Sequence, residues 1–193
     1  FVMYGASEAT ARMGYLPSEV SLDKCGTMGI AIPNGEFSLV DEENQTIETD
    51  DREGELIYRG KNVMMGYAEK REDLFKGDEM NGVLRTGDIA KRDSDGFYTI
   101  VGRKRRFLKM FGKRTNLDDV EHILKERFNI ELASTGVDNE LCVFVTEKSV
   151  KDEIVPYLSA KLKIHPSAIK AYYIENIPKT AAGKILYANL GLV

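Results

Sequence analysis

Cysteine and histidine are scarce in this chain, two of each in 193 residues, and their placement excludes several chemistries. Cys25 and Cys142 stand far apart, without the close spacing of a metal site or the density of a secreted disulfide scaffold. They read as reduced, buried thiols of a cytoplasmic protein. His122 and His165 are isolated and show no nucleophile or ligand arrangement, so they read as structural. No apolar run approaches the roughly 20 residues a membrane span needs. No signal peptide, internal repeat or low-complexity linker is present. Nor does one charge sign dominate: a formal net charge of −4 makes any basic stretch local and removes a general nucleic-acid binder. What remains, 42% hydrophobic and 30% charged residues, is the balance of an ordinary globular protein, enough for one domain or two small ones.

The stretch that organises the rest runs from Leu84 to Arg114. It opens on a Thr86-Gly87-Asp88 turn, passes a hairpin signal at Ser94-Asp95-Gly96, climbs a β-rich run from Phe97 to Val101 and breaks at Gly102. From there it turns basic: seven of the thirteen residues from Gly102 to Arg114 are Lys or Arg. Such a sequence cannot continue the same packed sheet, so Gly102–Arg106 is the expected junction between two structural units.

In chain order, Phe1–Tyr4 reads as the end of a buried strand whose neighbours are missing, which predicts a longer protein. Gly5-Ala6-Ser7-Glu8 is the turn after it. A strand, a small-residue turn and a helix start collect exposed N–H groups where open α/β sheets bind ligands. Two readings stand for Glu8: a ligand for a hard cation, or the cap of a helix through Ala9–Met13. Glycine-punctuated short strands follow, at Glu36–Val40, Gly54–Gly60, Asn62–Tyr67, Leu84–Arg92 and Phe97–Val101, suggesting a small, distorted β-barrel. Beyond Arg106, Asn116 can cap a helix carrying Leu117, Val120, Ile123, Leu124 and Phe128 at helical spacing. Strands at Ala133–Val137, Leu141–Thr146 and Lys170–Ile174 and a second helix over Lys151–Leu162, shortened or kinked at Pro156 unless that residue lies in the first turn, complete a β-α-β-α-β module. Pro178–Gly183 is a loop, and Ile185–Leu190 a short terminal helix.

Four features can carry chemistry. Asp88, fixed in a tight turn, offers two acceptor oxygens suited to a vicinal diol, or is an ordinary turn aspartate. Arg103 places a forked, permanent cation at a strand end, suited to phosphate or ribose. For Lys104-Arg105-Arg106, a solvated face accounts for at least two of the three, with an anion-binding path for a phosphorylated carrier as the alternative. Lys184 closes the low-bulk loop Pro178–Ile185, which either inserts a mobile cation into a closed site or is plain surface. It is not a Walker loop, which needs more glycines and a Ser or Thr after the lysine.

In this order the pieces resemble the adenylate-forming superfamily of acyl-CoA synthetases, nonribosomal adenylation domains and luciferases. Tyr4-Gly5-Ala6-Ser7-Glu8 is similar to its Y-G-x-T-E, Gly54-Glu55-Leu56 through Gly66-Tyr67 to its G-E-L…G-Y, and Thr86-Gly87-Asp88 to its T-G-D. Gly102-Arg103 with Lys109 and Gly112 resembles its G-R…K-x-x-G, and Pro178–Ile185 its P-K-T-x-x-G-K-I. The stretches Glu8–Met13 and Leu84–Asp88 look most like bacterial acyl-CoA synthetase-like proteins. The resemblance implies mixed α/β architecture: residues 1–20 ending a large N-terminal α/β domain, 21–104 a barrel subdomain, 105–193 a mobile α+β domain. It implies a two-step reaction, in which a carboxylic acid attacks the α-phosphate of ATP to give an acyl-adenylate and pyrophosphate, and coenzyme A or a carrier protein's phosphopantetheine takes the acyl group.

By that resemblance Tyr4 and Gly5 would border the adenine and Ser7 a phosphate. Glu8 would hold Mg²⁺, Asp88 the ribose hydroxyls, and Arg103 the ribose or a phosphate. Lys184 would stabilise charge developing between carboxylate and α-phosphate, Gly112 would line the thiol channel, and Arg105 would be the hinge. Ser7 stands where Thr is usual, which keeps the hydroxyl, and Arg105 where Asp or sometimes Lys is usual. The family's Ser/Thr/Gly-rich phosphate loop, which lies before the Tyr4 motif, has no counterpart here. The chain is therefore expected to be the C-terminal part of an enzyme, inactive alone and partnered by the missing N-terminal part. A ligase that loads a carrier protein, and a non-catalytic nucleotide-binding or regulatory module, are the alternatives.

Overall fold

The computed structural model describes residues 1–190; the last three residues of the expected 105–193 domain lie outside them. The chain divides into two compact units, Phe1–Arg105 and Arg106–Val193.

The first unit holds two antiparallel sheets. Strands β1 (Met3–Tyr4), β2 (Gly14–Tyr15) and β3 (Ile30–Ala31) form one, in that order; β4 (Glu36–Val40), β5 (Gly54–Arg59), β6 (Val83–Arg92) and β7 (Tyr98–Arg103) form the other. An isolated bridge from Gly29 to Tyr98 ties the two. The expected barrel does not close: β1 to β3 pair over only two residues each, too few to complete a ring. The alternation of β4 and β5 puts Phe37, Leu39, Leu56 and Tyr58 inside, where Phe37 packs against the rings of Tyr4, Tyr58 and Tyr98. Gly35 makes room for this cluster, since a Cβ there would stand 2.6 Å from the Tyr58 hydroxyl. Asn62–Tyr67, expected as a strand, is irregular; its valine and methionines do not alternate with polar residues against any partner strand.

The second unit opens on a hairpin that the basic sequence conceals, β8 (Phe107–Met110) and β9 (Lys113–Asn116). Then come α1 (Leu117–Phe128), β10 (Leu132–Val137), β11 (Glu140–Val145), α2 (Lys148–Leu162) and β12 (Ile169–Tyr173). The order is thus β-β-α-β-β-α-β, not a strict alternation. Asn116 caps α1 as its sequence suggests, accepting from the Asp118 amide at 2.9 Å. Helix α2 begins a turn earlier than expected and runs through Pro156, which lies in its interior. Leu117, Val120 and Leu124 from α1 and Ile154 and Leu158 from α2 bury against Leu132, Leu141, Val143 and Val145 of the sheet. β10 pairs antiparallel with β11 and β11 parallel with β12, α2 serving as the crossover.

The sheet's other face is covered by the segment after β12: Ile177 and Leu190 bury with Ala133 and Phe144. Tyr187–Asn189 forms a single 3-10 turn in place of the expected terminal helix. Neither thiol is buried as expected: Cys25 is exposed and Cys142 half-buried. No helix among the described residues is long and apolar enough to cross a membrane.

Candidate functional site

The first unit gathers Tyr4, Glu8, Asp88 and Arg103 through two register faults in its sheet. Between β5 and β6 the pairing steps from Glu55–Ile89 to Ile57–Arg85, so Thr86-Gly87-Asp88 bulges out. Between β6 and β7 it steps from Ile89–Gly102 to Ala90–Ile100, leaving Val101 over. Gly87 takes a φ of 71° in the bulge, a value that suits glycine. The Thr86 hydroxyl replaces the lost ladder bonds, donating to the Leu56 carbonyl at 2.8 Å and accepting from the Asp88 amide at 3.1 Å.

Asp88 is 5% exposed and uses both oxygens. One accepts from the Tyr4 hydroxyl at 2.5 Å; the other pairs with Arg103 Nε at 2.8 Å. Arg103 is also its cross-strand partner, and its guanidinium is largely exposed. Burial first, and then the Asp88 carboxylate, push the Tyr4 hydroxyl far above its ordinary range, so it remains a donor at every working pH. Each carboxylate oxygen has two lone pairs, so Asp88 keeps acceptor capacity for a ligand. Tyr4→Phe should leave one oxygen of this buried carboxylate without its donor and destabilise the first unit by about 1.5–3 kcal/mol, the usual worth of a bond to a charged group. Urea denaturation of the two proteins side by side measures it.

Glu8 lies in a 3-10 turn, Ser7–Ala9, and not in the helix weighed as its alternative. Its own backbone amide, then the Tyr67 hydroxyl at 2.9 Å, hold its carboxyl below the ordinary range. Ser7 and Gly5 are exposed on the same turn. Gly5 has a steric reason to be glycine: a Cβ would stand 1.8 Å from the Ala11 carbonyl oxygen. Thr10 and Ala11, at φ 47° and 72°, fold the chain back to that approach. Asn62 holds the fold-back, donating to the carbonyls of Ala9 at 2.7 Å and Arg12 at 2.9 Å while accepting from Tyr58 at 2.8 Å. This residue was invisible to sequence reasoning, which set it at a strand start; an asparagine soon after a glycine was the only signal.

The second unit carries the remaining candidates. Gly112 (φ 82°) and Phe111 (φ 51°) form the two-residue turn of the β8–β9 hairpin, with positive φ at both positions as a type I′ turn requires. The turn is pinned by Asn139, whose side chain accepts from the Phe111 amide at 2.6 Å. Lys184 is exposed on a loop closed by its own bonds: Thr180 N–H to Lys184 O at 2.8 Å, Lys184 N–H to the Thr180 hydroxyl at 3.2 Å, and Gly183 at φ 79°. The loop base is held by an ion pair from Lys179 to Glu131 and by buried Ile177.

The basic run 103–106 divides residue by residue. Lys104 pairs with Glu55 at 2.8 Å, and Arg105 is exposed. Arg106 is buried, bonding Glu121 at 2.6 Å, Asp118 at 2.8 Å and the Ser134 carbonyl at 2.7 Å, with the Tyr187 ring 3.9 Å from its guanidinium. The solvated-face reading therefore suits Lys104 and Arg105 by exposure, and Arg106 is a structural cation. No cluster of three metal-ligating side chains occurs among the described residues. A magnesium ion would still fit at Glu8, because Mg²⁺ is commonly held by one or two carboxylates together with substrate phosphates.

Residues 1–68 match the family described as AMP-binding enzyme. The chain is 28% identical over 97% of its length to a long-chain-fatty-acid–CoA ligase of Salmonella typhimurium, and 31% identical over 97% to a probable 4-coumarate–CoA ligase 1 of Dictyostelium discoideum. It spans only 34% and 36% of those proteins. Among solved structures, the O-succinylbenzoate coenzyme A synthetase of Bacillus subtilis in complex with AMP superposes with a TM-score of 0.70 at 22% identity, over 99% of this chain and 40% of that one. The McyG A-PCP structure complexed with phenylalanyl-adenylate gives 0.72 at 21%, over 97% and 37%. At such identities the structural matches speak for the fold.

Proposed function

We propose that the protein carrying this chain is an AMP-forming acid–thiol ligase of the adenylate-forming superfamily, a reading supported by the match of residues 1–68 to AMP-binding enzymes and by the similarity of nearly the whole chain to CoA ligases. It activates a carboxylic acid with ATP to an acyl-adenylate and passes the acyl group to coenzyme A. The observation that carries this reading is the Tyr4–Asp88–Arg103 group, a buried carboxylate braced by one neutral donor, the Tyr4 hydroxyl, and one cationic donor, the forked Arg103 guanidinium.

In this reading Asp88 accepts from the ribose hydroxyls and Arg103 meets ribose or phosphate. Tyr4 and Gly5 border the adenine, and Ser7 donates to a phosphate. Glu8, its carboxyl held below the ordinary range, would hold Mg²⁺, which would supply counter-charge to the phosphates. Lys184 meets the charge that develops between carboxylate and α-phosphate, and Gly112 lines the path of the thiol. Lys184 and Gly112 sit on one compact unit, and Arg105 is the hinge that turns it between the two half-reactions. The reading places the protein in the cytoplasm. A carrier-bound phosphopantetheine as acceptor is the second reading, since a free and a carrier-bound thiol need the same chemistry at the acyl group.

The test is acid-dependent ATP–pyrophosphate exchange by the intact protein over a panel of fatty, aryl and amino acids, followed by thioester formation with coenzyme A. Exchange with at least one acid is expected. Nucleotide binding without exchange across the panel would replace the ligase by a non-catalytic module.

A further inference from the structure

Glu55 takes no part in the proposed reaction, yet its side chain is only 7% exposed. It lies on β5 beside the register fault and points its Oε2 at two cations. Arg85, from the neighbouring strand, chelates it through Nη2 and more weakly through Nε at 3.4 Å, and is steadied in turn by Asn44 at 2.9 Å. Lys104, the first residue after β7, reaches the same oxygen at 2.8 Å. Burial opposes the charge on Glu55, but Arg85 and Lys104 outweigh it and hold the carboxyl below its ordinary range.

On the far side of Arg105, Arg106 is fixed by Glu121, Asp118 and Ser134 of the second unit. Lys104, Arg105 and Arg106 form a single 3-10 turn. We infer that Glu55 is a positioning residue that sets where the first unit ends: by clamping Lys104 at the start of this turn, it confines any change of backbone angles to Arg105, the one residue of the turn whose side chain is not anchored in either unit. This rests on the hinge assigned to Arg105 above and says what confines it. Without the clamp the joint would lengthen by one residue, and any reorientation would be shared between Lys104 and Arg105. Arg85 and Lys104 are each about half exposed, 49% and 50%, so loss of the Glu55 charge leaves cations that water can solvate and not an orphaned buried charge.

Hydrogen–deuterium exchange on the 193-residue chain tests this. Glu55→Gln is expected to speed exchange in the peptide spanning residues 103–106 by roughly two- to five-fold, the span of a partly exposed ion pair. Lys104→Met should do the same, and the double variant should add nothing further, the non-additivity of a shared contact. Arg85→Met, which keeps the Lys104 contact, should leave that peptide near wild type. Faster exchange spread through β5 and β6, or an Arg85→Met effect equal to that of Lys104→Met, would make Glu55 a general sheet stabiliser and overturn the inference; so would an unchanged connector in Lys104→Met, a surface substitution that does not endanger folding. Arg105→Pro in the intact protein, with the half-reactions assayed separately, keeps the two readings apart. Equal wild-type rates there would remove the hinge but not a clamp seen by exchange, whereas one half-reaction impaired without any clamp signal would keep the hinge and remove Glu55's part.

Discussion

In the intact protein, Lys184→Ala should lower acyl-adenylate formation by on the order of 10²–10³, the usual effect of removing one electrostatic stabiliser of a developing charge. Thioester formation from supplied acyl-adenylate should be largely spared. On the proposed reading the asymmetry follows from the chemistry, since attack of a carboxylate on the α-phosphate, with both groups negatively charged, occurs only in the first half-reaction. It also follows from the loop. Lys184 is exposed and its loop closes through Thr180 and Gly183 backbone bonds, so truncating the side chain removes no packing and no fold-stabilising contact. Single-turnover assays of each half-reaction decide the matter. Equal losses in both would assign Lys184 to general binding or folding.

Arg106→Ala should have the largest effect on stability, about 3–5 kcal/mol, the cost of breaking a buried ion pair from one side. Glu121, with a 7% exposed side chain, would keep the Ser134 amide and hydroxyl at 2.8 and 3.2 Å. Lys125, 3.7 Å away and half exposed, is a weak substitute. The guanidinium also fills space against Tyr187, so the substitution opens a gap as well as stranding a carboxylate. Denaturant unfolding followed by a probe in the second unit measures it. A loss under about 1 kcal/mol would place the pair among surface-type bridges.

The contrast between Lys184 and Arg106 shows what was legible in the sequence. The loop Pro178–Ile185 announced itself through small residues and glycine, and the helix from Leu117 through its spacing and its Asn116 cap, because local chemistry determines both. Asp88 was legible as a turn aspartate, but its two partners were not: Tyr4 is 84 residues away and joins it only through the fold. The basic run hid a strand pair, because Lys109 and Arg114 face outward while Leu108 and Met110 face the core; charge density masked an ordinary alternation. Arg106 was grouped with its basic neighbours for the same reason. Composition reports how many charges a stretch has, and only tertiary structure reports which one is inside. The barrel failed for a complementary reason: turn spacing locates strands but does not fix how many residues of each find a partner.

The segment from Ile177 to Leu190 bears on how damaged variants of this protein are to be recognised. It grips the sheet face opposite the two helices through Ala133 and Phe144, while the larger core lies wholly on the helical side. A lesion at Ala133 or Phe144 would let the lysine-bearing loop drift and leave that core intact. Such a protein would look healthy to circular dichroism, gel filtration and expression screens, and on the proposed reading would fail in acyl-adenylate formation. For this module, a normal folding profile is no certificate of competence, and inactive variants far from any ligand are best sought on the strapped face.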